Sequence, residues 1–414
     1  MPPSRNKNYL FIYSLSTLGA PLITKTLPII QNIRGFLEAL KRLLLLIRLG
    51  TIMSVANMTN VASQPERVMV RIPNMFVSFL AEPPRFNPNY DEVKAKSEAW
   101  ISDFCSFDKR MSTLISRCDF SYFIAIAAPE AGLQEYRTLC DWGNWVFPYD
   151  DMFDNGELRD KPAIAAKVLE NLLSPMSDPQ SRQDINPPRG DRLPIIKVHD
   201  TVWERFKKGS PEGVRRRFAK AMADYCAGTL MQVEDLSTHR ILRPEAMLER
   251  RQLSAGVSPL FSLVEYAHAI HVPDFVFEHR SIQEIEQLGI DFVLISNDIL
   301  SYKKEEEESV PHNLVAVARM GGLGAQEAFD YIGSMLDSRY ERWEKAIGEL
   351  PNWGEGVNRN AQKYIQGVAD VVRANLYWSF KSERYLGKDG AAVRQTRCLQ
   401  VLQYPGFLCN KHSL

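Results

Sequence analysis

The stretch on which the fold turns is Leu133-Gln-Glu-Tyr-Arg-Thr-Leu-Cys-Asp-Trp-Gly-Asn-Trp-Val-Phe147-Pro-Tyr-Asp150-Asp151-Met-Phe-Asp154-Asn-Gly-Glu157. Its apolar residues recur at three- and four-residue steps from Leu133 to Phe153, which predicts a helix. If that helix continues through the acidic cluster, Asp150 and Asp154 stand one turn apart on one face. Like charges at that spacing repel, and a helix C-terminus adds the macrodipole to the cost. A sequence selected for stability alone would not place them there. A divalent cation reverses the sign of the local energetics, because carboxylate oxygens are preferred ligands of hard ions such as Mg²⁺.

The same helical period recurs in Lys94–Phe107, Ala163–Leu173, Lys197–Lys207, Pro211–Val233, Pro244–Leu253, Leu260–His271, Ile282–Glu305, Ala325–Leu350 and Val357–Tyr385. No stretch alternates with period two over six or more residues in β-branched surroundings, so strands are not required. Ser174–Pro194, rich in Pro, Asp and Ser, reads as a long surface loop. These patterns predict one large all-α domain over residues 66–390, with 391–414 as a C-terminal tail.

Residues 1–65 read differently. Arg5, Lys7, Lys25, Arg34, Lys41, Arg42 and Arg48 are opposed as far as Arg48 only by Glu38. The apolar runs at 9–23 and 43–47 fall short of the roughly 20 clean residues a spanning helix needs. Such an atypical N-terminal extension suits a targeting segment, a membrane anchor or an over-extended gene model, Met53 and Met58 following at once. Any membrane or organelle contact is therefore expected only through residues 1–65.

Across the whole chain 50 basic residues balance 50 acidic ones, so no cationic nucleic-acid footprint is visible. The six cysteines, Cys105, Cys118, Cys140, Cys226, Cys398 and Cys409, show no clustered spacing. They read as reduced thiols in a cytoplasmic protein rather than as zinc ligands or a disulfide framework.

A second acidic cluster lies about 150 positions after the first: Asn297-Asp298-Ile-Leu-Ser301-Tyr-Lys-Lys304-Glu305. Asn297, Ser301 and Glu305 recur every four residues, so their oxygens line one helix face. Amide, hydroxyl and carboxylate together suit a Mg²⁺ that keeps other oxygens, such as those of a diphosphate. Arg250-Arg251, ending a helix before Ser254-Ala-Gly256, and Arg384-Tyr385, near the end of the last long helix, supply cations that could grip such a group.

Together these residues resemble a class I terpene synthase of the fungal, basidiomycete sesquiterpene type. Asp150-Asp151-Met-Phe-Asp154 is similar to the family's DDxxD motif. Asn297, Ser301 and Glu305 are similar to its NSE triad, and Arg384-Tyr385 to its RY pair. Arg251, 46 positions before Asn297, stands where the family has its pyrophosphate-sensing arginine. Lys304 resembles a diphosphate-binding lysine. The likeness runs over roughly residues 68–390.

The resemblance implies a helical bundle around a deep apolar pocket, with Asp150, Asp154, Asn297, Ser301 and Glu305 holding three Mg²⁺ at its mouth. It implies an isoprenyl diphosphate substrate, most often farnesyl diphosphate. The activity is then that of a sesquiterpene synthase, a lyase: ionisation, cyclisation of the cation, then deprotonation or water capture. It assigns the diphosphate to Arg251, Lys304, Arg384 and Tyr385, and a catalytic hinge to Arg251 and the effector position at about Ala255. Phe147, Val293 and Trp378 are the expected pocket wall, although Phe147 and Trp378 suit a plain core equally well.

Other neighbours have plainer readings. Asp151 is expected to face away from the metal, and Asp298 to be structural or to support the ligands from behind. Glu306, Glu307 and Glu308 read as a solvated helix end, Arg250 as a surface charge or cap, and no histidine shows a ligand spacing. The rival readings are a chain-elongating prenyltransferase, whose second motif is normally Asp-rich, and a non-catalytic all-α binding protein. Product skeleton and oligomeric state are not legible in these residues.

Overall fold

Two long helices that are apolar on several faces set the architecture. Residues of Arg280–Glu307 are buried on nearly every side, among them Ile282, Leu288, Phe292, Ile295, Ile299 and Tyr302. Leu133–Asp154 buries Tyr136, Leu139, Trp142, Trp145, Tyr149 and Phe153. A helix apolar all round belongs at the centre of a bundle.

The computed structural model describes residues 65–177 and 192–409. Its α-helices are α1 Tyr90–Phe104, α2 Lys109–Cys118, α3 Phe120–Ala127, α4 Leu133–Asp154, α5 Pro162–Leu173, α6 Pro194–Gly209, α7 Glu212–Ser237 and α8 Pro244–Ser254. They continue with α9 Ser258–Ala267, α10 Asp274–Phe277, α11 Arg280–Glu307, α12 Leu314–Met320, α13 Ala325–Gly348, α14 Glu355–Lys381, α15 Gly390–Thr396 and α16 Gly406–Cys409. The central α11 packs on α13 and α14, α14 packs on α3, and α4 packs on α1 and α6. The described residues all fall in one compact unit. No described helix is long and apolar enough to cross a membrane.

Three expectations need correction. Strands are present: β1 (Arg67–Arg71) pairs antiparallel with β2 (Cys398–Leu402), in the register Arg67↔Leu402 to Arg71↔Cys398. Each strand has five residues, too short for the six-residue alternation test. The tail expected from residue 391 is therefore partly built into the fold, because β2 lies beyond that boundary. Arg384 and Tyr385 stand just after α14, which ends at Lys381 where Ser382 turns extended. The readings of residues 1–65 fall, Pro65 apart, outside the described residues, as does the 178–191 part of the expected loop.

One backbone break matters for the site. Ala255 caps α8, Gly256 has φ +65°, and Pro259 occupies the first turn of α9. Glycine adopts that left-handed conformation without the steric cost of a Cβ, so the chain stops one helix and starts the next within three residues.

Candidate active site

Both acidic motifs open onto one cleft of about 910 Å³, counting the space open to solvent at its mouth. Asp150 and Asp154 enter from α4; Asn297, Lys304 and Glu305 enter from α11. Arg251 and Ala255 come from the end of α8, and Arg384 and Tyr385 from the turn after α14. Phe147, Val293 and Trp378 line the same space. Of the residues expected to hold metal or diphosphate or to wall the pocket, Ser301 alone does not reach the cleft surface; it is fully buried between Asn297 and Glu305 on α11.

The α4 side is held by neutral donors. Tyr225 donates its hydroxyl proton to Asp150 Oδ1 at 2.8 Å, and Gln232 Nε2 donates to Asp154 Oδ1. Burial and then repulsion from Asp154 push the Asp150 carboxyl upward, while burial, Asp151 and Glu305 push Asp154 the same way. Asp151 behaves differently. Burial opposes its charge, yet Arg384, whose Nη2 donates to Oδ1 at 2.8 Å, outweighs it and holds Asp151 below its ordinary value.

The α11 side is held by charge and by a loop. Arg251 Nη2 donates to Asp298 Oδ1 at 2.7 Å and to Asn297 Oδ1 at 3.2 Å. Burial would lower its pKa, but Asp298 and Glu305 raise it, so it stays charged. Asn297 Nδ2 donates to the Tyr385 hydroxyl at 2.8 Å, and Asn313 Nδ2 donates to Glu305 Oε2 at 2.8 Å. Lys304 Nζ donates to Glu308 Oε2 at 2.7 Å, and Asn155 Nδ2 reaches that same oxygen at 3.0 Å. Asp298 also accepts from the Leu314 amide at 2.7 Å, which matches its structural reading.

The cleft wall is aromatic. Phe147 and Trp378 stack with centroids 5.2 Å apart and planes 13° apart, and Tyr385 meets Trp378 edge-on at 5.4 Å. Phe120 and Phe123 meet Trp378 edge-on at 5.7 and 6.1 Å, and Phe120 also meets Phe147 at 5.1 Å. Trp378 is both wall and core: it is buried, and its Nε1 donates to the Cys118 carbonyl at 2.7 Å. The Arg384 guanidinium lies 4.1 Å from the Phe147 ring centroid.

The donor set fits a hard divalent cation. Ser301 Oγ is buried with no hydrogen-bond partner, although it sits between two oxygen donors on one helix face. A buried hydroxyl left unpaired costs about 1–3 kcal/mol, which a cation at the oxygens of Asn297, Ser301 and Glu305 would offset. The repulsion between Asp150 and Asp154 would be relieved in the same way. Among the described residues no three His, Cys, Asp or Glu side chains make a ready cage. The protein instead offers two partial shells of oxygen.

Comparison with known proteins agrees with this geometry. Residues 141–342 match the model of terpene synthase family 2, C-terminal metal binding. Silphinene synthase peniA of Penicillium patulum is 36% identical over 342 residues, covering 80% of this chain and 90% of that protein. The chain belongs to the terpene synthase family. Terpene cyclase 4 of Gibberella fujikuroi is 34% identical over 83% of this chain and 93% of its own length. Among solved structures, a linalool/nerolidol synthase from Streptomyces clavuligerus shares the fold with a TM-score of 0.60 at 23% identity, over 74% of this chain and 99% of that one. The all-α terpene synthase fold and the metal-binding character of the family therefore hold for this chain.

Sequence reading missed several side chains of this family member. Phe120, Phe123, Tyr225, His312 and Asn375 all line the cleft. His312 is buried, within 3.0 Å of Ser254 Oγ, and burial followed by Arg251 keeps it neutral. Glu306, expected to be solvated, is buried and accepts from the Leu402 amide. Arg250 is a local partner of Asp235, as a surface role suggests.

Proposed function

We propose that this protein ionises and cyclises farnesyl diphosphate to a sesquiterpene hydrocarbon or alcohol, with three Mg²⁺ between the α4 and α11 walls. The observation that carries the reading is that two oxygen walls and four cationic or hydroxyl groups share one cleft with an aromatic wall. Bound Mg²⁺ would supply Lewis-acid stabilisation to the departing diphosphate. Asp150 and Asp154 would hold it on one side, and Asn297, Ser301 and Glu305 on the other. Arg251, Lys304, Arg384 and Tyr385 would bind the diphosphate oxygens, the arginines in fork geometry.

Ionisation breaks the allylic C–O bond and leaves a carbocation in the cleft. Phe147, Trp378 and Val293 exclude water from it, and the aromatic faces stabilise positive charge without attacking it. Ala255 and Gly256 sit at the break between α8 and α9, directly after Arg251, where a diphosphate contact would be felt by the backbone facing the substrate. A cytoplasmic setting suits the free Cys105, Cys118, Cys140, Cys226 and Cys398.

Incubation of the purified chain with geranyl, farnesyl and geranylgeranyl diphosphate and Mg²⁺, followed by gas chromatography with mass detection, tests this. Volatile C15 product from farnesyl diphosphate alone, abolished by chelator, is expected. A requirement for isopentenyl diphosphate would favour chain elongation, and chelator-insensitive output would sink the metal assignment.

A further inference from the structure

The back of the second metal motif is fastened to the far end of the chain. At about 100° per residue, Glu305 and Glu306 point to different sides of α11. Glu305 faces the cleft, whereas Glu306 turns away and is 1% exposed. Its Oε1 accepts from the Leu402 amide in β2 at 2.7 Å. Arg319 of α12, 4% exposed, donates through Nη1 to the Leu402 carbonyl at 2.9 Å and to the Tyr302 hydroxyl at 2.7 Å. Its Nη2 donates to the Gln403 carbonyl at 2.8 Å, and Nη1 lies 3.6 Å from Glu306 Oε2. On the other strand, Arg67 Nη2 donates to Glu307 Oε1 at 2.7 Å.

These contacts meet on the last turn of α11. The last turn of a helix is where helices fray, and in α11 the carbonyls of Lys304, Glu305 and Glu306 are closed only by the amides of Glu308, Val310 and Ser309 in the connection that follows. Here that turn also carries Lys304 and Glu305. The Glu306–Arg319 charge contact is itself loose, at 3.6 Å, and both side chains make their short hydrogen bonds to the backbone of Leu402 and Gln403. What the pair provides is a fixed position for the backbone of residues 302–307 against β1 and β2.

We infer that Glu306, Arg319 and the β1–β2 ribbon form a clasp that positions Glu305 and Lys304 for the metal-bound diphosphate. Glu306 and Arg319 are positioning residues, acting through α11 without touching the ligand. The inference rests on the reading of the cleft given above.

Isothermal titration of the full chain with inorganic diphosphate in excess Mg²⁺, paired with thermal melts, tests it. In the Glu306→Leu/Arg319→Met double variant, diphosphate affinity should fall about tenfold or more, as when outer partners of metal ligands are removed. The melting temperature should fall, because the Leu402 amide and the Leu402 and Gln403 carbonyls lose their side-chain partners, so affinity is compared at a temperature where the variant is still folded. Glu306→Gln keeps the shape and the acceptor for Leu402, removes the charge facing Arg319, and should weaken binding several-fold in a folded protein. Wild-type affinity in both variants overturns the clasp while leaving the cleft reading intact. Absence of Mg²⁺-dependent binding by the wild type overturns the cleft reading and the clasp with it.

Discussion

The α4 wall and the α11 wall present similar oxygens but are stabilised by different means. On α4, Asp150 and Asp154 meet a tyrosine hydroxyl and an amide, and only Asp151 has a full countercharge, from Arg384. On α11, Arg251 reaches both Asp298 and Asn297, Asn313 holds Glu305, and Tyr385 holds Asn297. The first wall therefore carries unrelieved repulsion that a cation would remove. The second is largely neutralised and braced before any ligand arrives. With a cation bound, a site built this way would have one side whose charge answers to the metal and another whose geometry does not depend on it.

The largest test removes both walls. Asp150→Ala with Glu305→Ala should lower turnover of farnesyl diphosphate by on the order of 10³-fold or more, since on the proposed reading each wall would hold metal that stabilises the leaving group. Circular dichroism should be unchanged, because both carboxylates face the cleft rather than the core. Residual turnover near wild type would break the comparison outright.

Next in size is a test of the asymmetry. Arg251→Lys should cost on the order of 10² in kcat/KM, because an ammonium cannot hold Asp298, Asn297 and a diphosphate in one plane. Tyr225→Phe, which removes one neutral donor from Asp150, should cost about tenfold or less. Equal losses in the two variants, measured by steady-state kinetics, would erase the distinction between the walls.

The two walls also differed in how legible they were. Asp150, Asp151 and Asp154 stand within five positions of one another, and Asn297, Ser301 and Glu305 keep a four-residue step, so a helical period sufficed to place each set on a face. The partners that brace them come from afar. Tyr225 and Gln232 lie on α7 with nothing in their own spacing to mark them. Asn313 and His312 sit in a connection whose shape only packing decides. α3 was missed because Phe120-Ser-Tyr-Phe-Ile-Ala-Ile-Ala is apolar almost throughout and shows no face, and Asp119, at φ +49°, separates it from α2. Glu306 was misread because Glu306, Glu307 and Glu308 form a run of charge that looks solvated until β2, 96 residues later in sequence, covers the first of them.

A smaller effect concerns the surface both walls share. Phe147 from α4 stacks on Trp378 from α14. Trp378→Phe should shift product ratios several-fold while total turnover stays within about tenfold, since each 1.4 kcal/mol between competing closures is a factor of ten. It should also lower stability by about 1–3 kcal/mol, because the buried Cys118 carbonyl loses its donor. An unaltered product profile in gas chromatography would make Trp378 a core residue only.

The smallest effect reads the charge of the walls without any ligand. Asp150 and Asp154 have folded-state values raised above those of the unfolded chain, by burial first and then by neighbouring carboxylates. Between the ordinary carboxylate value near 4 and the raised folded values, the folded protein then binds more protons than the unfolded one. Metal-free protein should therefore lose stability as pH rises through that window, by up to about 1.4 kcal/mol per pH unit for each proton of difference. Asp151 has the opposite sign, but its contribution is lost only below the window, as pH falls through its depressed value. Glu305 is raised as well, by burial and Asp298, yet Arg251 and Lys304 oppose the shift. Denaturant melts across pH in chelator should thus flatten more in Asp150→Asn than in Glu305→Gln, and Mg²⁺ with diphosphate should restore stability at the high end for the wild type. An equal flattening in the two variants would mean that the α11 wall, for all its bracing, holds as much unrelieved charge as the α4 wall.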